Sequence, residues 1–152
     1  MAFPSAVNTS LAQLQPDTQP VWGLMTAQHM VEHLLLVVNL SIAKFKTPIE
    51  VVTPAEKLPK YKAALMGDFP LPREFKAPML PTDSLLPLRF AELETAKEAL
   101  CKGIDNFFAY YEANPSATNP HPVFGECNFQ EWQRFHAKHF THHFEQFGLI
   151  SS

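Results

Sequence analysis

Apolar residues return at helical spacing along several stretches of the chain, most clearly near its end. At about 100° per residue, Phe129, Trp132, Phe140 and Phe147 share one arc, while Gln130, Arg134, Lys138, Thr141 and Glu145 lie opposite. Asn128 followed by Glu131 reads as a capping box, with Cys127 and Trp132 placed as a hydrophobic staple. Gly148 stands where a left-handed C-cap is wanted. The pattern predicts a helix from about Phe129 to Phe147. A second helix is predicted from Thr26 as N-cap, with Met25 and Met30 as its staple, through Leu34–Val38 to about Phe45. Apolar residues surround almost its whole wheel, with Glu32 and Asn39 on one polar strip, so it is predicted to be buried.

Two further helices complete the pattern. Residues 3–15 carry Leu11 and Leu14 on one face and stop before Pro16 and Pro20. Leu86, Phe90, Leu93, Leu100, Ile104, Phe107 and Tyr111 keep helical spacing over about Leu85–Tyr111, with Glu94, Lys97, Glu98 and Lys102 on the solvated face. Between Thr47 and Pro87 lie more than half of the prolines, which predicts an extended connection with one short helix around Ala55–Met66. Long irregular segments often roof a site; Pro70, Pro72 and Arg73 are candidates for that roof, Arg73 as an anion contact. Asn114–Pro122 reads as a turn-rich loop, and no alternating strand pattern exceeds four residues. The expectation is one all-α domain spanning residues 1–152, a four-helix bundle with a long proline-rich crossover.

Bulk properties narrow the classes. The 46% hydrophobic and 18% charged residues are a globular composition rather than a disordered one. A net charge of −3 without a basic stripe argues against nucleic acid as a partner. The longest apolar run, Leu34 to Val38, is far short of the ~20 residues of a membrane span. Cys101 and Cys127 make no disulfide framework and lack metal-ligand spacing, so both read as small hydrophobes. The N-terminus lacks signal-peptide regions, and the expectation is a cytoplasmic protein.

Histidine placement is the main chemical signal. His29 and His33 sit on the second helix, and His136, His139, His142 and His143 crowd the last one. On the C-terminal wheel His136, His139 and His143 fall within the aromatic arc, while His142 falls off its centre. A lone core-facing histidine is usually a neutral, hydrogen-bonded ring. Three on one arc, opposed by a second pair, are harder to satisfy that way, because each buried imidazole has two ring nitrogens to partner. One divalent metal satisfies several at once, and bundle cores are recurrent places for such sites.

The order of residues also resembles a known family. His139-Phe140-Thr141-His142-His143-Phe144-Glu145-Gln146 resembles the C-terminal signature of the DinB-like superfamily, a histidine followed by His-His-x-x-Gln. Met25-Thr26-Ala27-Gln28 leading to His33-Leu34 resembles its second helix. Pro16-Asp17-Thr18 with Trp22-Gly23-x-Met25, and His121-Pro122-Val123-Phe124-Gly125, are closer to an uncharacterised branch of it. The resemblance implies a four-helix bundle holding one divalent metal through His33, His139 and His143. It leaves His142 as the neighbour of a ligand and does not require His29 or His136. The superfamily commonly has Arg-Gly where this chain has Phe144-Glu145, which puts any substrate-orienting role of that arginine in doubt.

Three nitrogen ligands leave coordination positions open, as in catalytic sites. A bound water or thiol there loses its proton more readily. The resemblance favours thiol S-transfer with a low-molecular-weight thiol, ahead of hydrolysis. His136 is the acid–base candidate, and Glu32 is turned away from His33. The ion is a divalent transition metal: zinc, nickel or iron. A non-enzymatic alternative makes the metal a clamp in a binding protein, with His29 as fourth ligand. Thirteen phenylalanines mostly mean core, and a homodimer through helix faces is also compatible.

Overall fold

The computed structural model describes residues 3, 6–45, 47–72 and 85–150. Among the described residues five α-helices follow one another: α1 (Val7–Gln13), α2 (Ala27–Leu40), α3 (Leu58–Met66), α4 (Leu93–Ala113) and α5 (Phe129–Gln146). A short 3-10 turn at Ala55–Lys57 leads into α3, and a two-stranded hairpin, β1 (Asn119–His121) and β2 (Gly125–Cys127), precedes α5. The described chain is thus mostly helical, with one small sheet. No described helix is long and apolar enough to cross a membrane. Arg73 lies outside the described residues.

The capping signals read from the sequence set the two helices that matter most. Asn128 Oδ1 accepts the Glu131 N–H at 2.9 Å, and Glu131 Oε1 accepts the Asn128 N–H at 2.9 Å, closing the reciprocal box at the start of α5. At its far end Gly148 takes φ 67° and Leu149 N–H reaches the Phe144 carbonyl at 2.8 Å, satisfying a carbonyl the helix leaves open. Thr26 Oγ1 accepts the His29 N–H at the start of α2.

Helix α1 is shorter than the expected 3–15 stretch, and two other boundaries differ most from the sequence expectation. Helix α2 stops at Leu40 rather than near Phe45: Ser41 turns its hydroxyl onto the Val38 carbonyl at 2.6 Å, and Ala43 adopts φ 60°. The long helix begins at Leu93 rather than Leu85. Pro87 disfavours helical geometry at Leu86, and the Glu32 carboxylate of α2 captures the Arg89 and Phe90 N–H groups at 2.7 and 3.3 Å. The Gln28 side chain links Glu32 to the Phe90 carbonyl. The hairpin replaces the end of the turn-rich loop that the sequence predicts over Asn114–Pro122. Its antiparallel register pairs Asn119 with Cys127 and His121 with Gly125, strands too short to leave an alternating pattern.

Helix α2 lies along α4, and Gly103 is what allows the approach: a Cβ there would stand 2.6 Å from Leu35 Cδ1. Buried residues of α1, α2, α4 and α5, among them Leu11, Leu34, Leu100, Phe107, Trp132 and Phe140, form one core. Lys97 reaches from α4 to the Leu14 carbonyl at 2.7 Å, closing the end of α1.

Candidate metal centre

Helix α5 presents His139 and His143 one turn apart, and α2 brings His33 against them. His33 Nε2 lies 2.9 Å from His139 Nε2, which lies 3.1 Å from His143 Nε2. One ligand atom from each ring falls within 4.8 Å of the others, and all three side chains are buried. Burial excludes the charged ring, so the His33 pKa is pushed down to about 4, with the His142 charge adding to the effect. Burial likewise holds His139 and His143 well below the usual histidine range, and their mutual proximity adds to it. All three are neutral at physiological pH, each with one ring nitrogen bearing a lone pair.

That arrangement is poorly satisfied by protons alone. An N–H on His139 Nε2 can point well at only one neighbour, leaving the other short contact as ring nitrogens facing without a well-placed proton between them. A cation at the centre would turn the converging lone pairs into ligands, so the residues fit a metal. Around them, His143 Nδ1 is 2.7 Å from Gln146 Oε1, whereas the Nδ1 atoms of His33 and His139 are buried without a partner.

The remaining histidines occupy different places. His29 keeps its Nδ1 on Thr26 Oγ1 at 2.6 Å and is not one of the grouped ligands. His142 is buried with its ring against Trp22 and against His143. His136 is 0% exposed, stacked on Trp132 and edge-on to Phe107, with Nε2 2.9 Å from Ser41 Oγ; its Nδ1 is buried and unpartnered. Burial pushes its pKa down to about 3. Glu32 is engaged with Gln28, Arg89 and Phe90, in line with its predicted turn away from His33.

Sequence reasoning missed the part played by the hairpin and by the turn at Trp22. Trp132 Nε1 donates to the Asn119 carbonyl at 3.0 Å, and His121 packs on Phe135, whose ring stacks on His139. The hairpin therefore backs His139 from behind. Trp22 is half-buried, and its carbonyl accepts from Gln146 Nε2 at 3.0 Å.

Residues 5–148 match the family described as a protein of unknown function, DUF1569. The chain belongs to the DUF1569 family. No curated protein and no solved structure matches it. The match runs from before α1 to the end of α5, so it includes all three histidines of the centre.

Proposed function

We propose that this DUF1569 chain is a DinB-like metalloprotein, a four-helix bundle of α1, α2, α4 and α5 that binds one divalent transition metal through His33, His139 and His143. The observation that carries the reading is the convergence of three neutral, buried Nε2 atoms. The order of motifs, from Met25-Thr26-Ala27-Gln28 to His142-His143-x-x-Gln146, supports the family assignment.

In this reading the protein is a metal-dependent enzyme for a small-molecule substrate, with thiol S-transfer ahead of hydrolysis. A divalent ion with open positions acts as a Lewis acid and eases proton loss from a water or thiol. The chain's own contribution is to hold three uncharged nitrogens on two helices and to surround them with apolar rings. His136 stands behind His139 in this proposal rather than beside the substrate, because it is wholly buried and its Nε2 is committed to Ser41. The clamp alternative needs a protein group in the fourth position. His29, the sequence candidate, is held by Thr26, which favours the open site.

Elemental analysis of untagged protein, purified without chelator beside His33→Ala, tests the metal. About one ion per chain, lost in the variant, is expected. No uptake after reconstitution with zinc, nickel or iron would overturn the reading. A loaded protein that neither transfers nor hydrolyses any of a panel of thiols and esters would return it to the clamp.

A further inference from the structure

Of the three ligand rings, only His143 has its second nitrogen anchored, and the anchor has a directional logic. Gln146 Nε2 lies 3.0 Å from the Trp22 carbonyl, which can only accept, so that end of the amide is its N–H donor. Oε1 is therefore the end that faces His143 Nδ1 at 2.7 Å, and it can only accept. His143 must then carry its proton on Nδ1. In a neutral ring this leaves the lone pair on Nε2, the atom that meets His139.

The turn before α2 grips Gln146 at both its backbone and its side chain. Val21 N–H donates to the Gln146 carbonyl at 2.6 Å, while Trp22 takes the side-chain amide. Gly23, at φ 85°, completes the grip by having no side chain: a Cβ there would stand 2.7 Å from Gln146 Nε2. Any other residue is strained at that φ and pushes on the donor of the chain of bonds.

We propose that Gln146 and the Val21–Gly23 turn form a positioning device for His143, presetting its tautomer and ring orientation before an ion arrives. The metal-affinity part of this rests on the proposed centre; the tautomer does not. A merely structural glutamine would contribute to stability alone, whereas this one also sets which nitrogen is free to ligate. Groups one bond behind a ligand histidine typically change metal affinity 10–100-fold.

The test uses the full chain. Nitrogen-15 NMR of the metal-free protein reads the His143 tautomer, and competition with a chromogenic chelator reads zinc affinity. The Nδ1–H tautomer is expected. Gln146→Leu should lose about 10–100-fold in zinc affinity, Gln146→Glu, which keeps the acceptor for the His143 N–H but loses the donor to the Trp22 carbonyl, should fall between Gln146→Leu and wild type, and Gly23→Ala should weaken binding without touching a ligand. An Nε2–H tautomer in metal-free wild type overturns the proposal, as does wild-type zinc affinity in a folded Gln146→Leu. If Gln146→Leu does not fold, Gly23→Ala and the tautomer decide. Wild type that takes up no zinc sinks the metal centre instead, and the tautomer still decides whether the device exists.

Discussion

His33 Nε2 and His139 Nε2 meet at 2.9 Å although their side chains are 106 positions apart in sequence. Each helix has its own N-cap, Asn128 for α5 and Thr26 for α2, and neither cap involves the meeting. Burying two imidazoles against a third costs solvation that leucines would not have lost. In the proposed reading, what offsets that cost is the ion the three nitrogens would hold together.

Replacing His139 or His143 by alanine should therefore abolish stoichiometric zinc binding, and His142→Ala should preserve it. His142 is next to a ligand in sequence yet directs its ring at Trp22 and lies outside the group of three. Equilibrium dialysis of the three variants checks this. Stoichiometric binding in the His139→Ala/His143→Ala double variant would remove the site.

Ser41→Ala should destabilise the protein by about 1–3 kcal/mol. The hydroxyl, 0% exposed, donates to the Val38 carbonyl at 2.6 Å and accepts from His136 Nε2 at 2.9 Å. Losing it strands a buried N–H. Combining it with His136→Phe should cost less than the sum of the two, because the donor is then also gone. Urea unfolding of the four species measures the coupling, and strict additivity would deny the bond its role.

Stability should fall as the solution is acidified below the usual histidine value of 6.5. Burial pushes His121 and His136 down to about 3 in the folded protein. The unfolded chain takes up those protons as pH drops through 6.5 and the folded chain does not, so the stabilisation is complete above that value and is lost toward pH 3. Each ring contributes a slope of up to about 1.4 kcal/mol per pH unit. His121→Asn keeps an acceptor for the Val123 and Phe124 amides that now donate to Nδ1. Unfolding free energies of the metal-free proteins at pH 4–7 should show a shallower acid slope in that variant; equal slopes would contradict it.

Glu32→Ala should lower thermal stability without changing metal content. Its carboxylate holds the Arg89 and Phe90 amides and the Gln28 side chain, which tie the segment before α4 to α2. A loss of about 1–3 kcal/mol is expected. Loss of zinc at wild-type stability would instead place Glu32 in the centre.

What was legible in the sequence follows the range of the forces involved. Helix α5 could be read to within a residue because its cap, its staple and its glycine stop are all local. The three-histidine cluster was legible because helical spacing sets His139 against His143 and the stretch that resembles the DinB-like second helix points to His33. The start of α4 was not, since Leu86 and Phe90 fit a helix until Glu32 competes for the backbone 58 residues away. His136 shares the arc of the ligands, and only the position of Ser41, 95 residues earlier, shows that its ring turns elsewhere. The hairpin left no periodicity in three-residue strands.

The division of the three histidines between α2 and α5 would have a consequence for the unfolded chain of a protein that holds an ion there. An ion held by His139 and His143 alone would close only one helical turn, but adding His33 closes a loop of 106 residues. Closing a loop of that length with a covalent link removes about 4–5 kcal/mol of freedom from a denatured chain. A coordinated ion would exert a reversible form of the same restraint. Chelation would then do more than empty a centre: it would untie the two ends of the sequence, and the protein would unfold more readily on losing its ion.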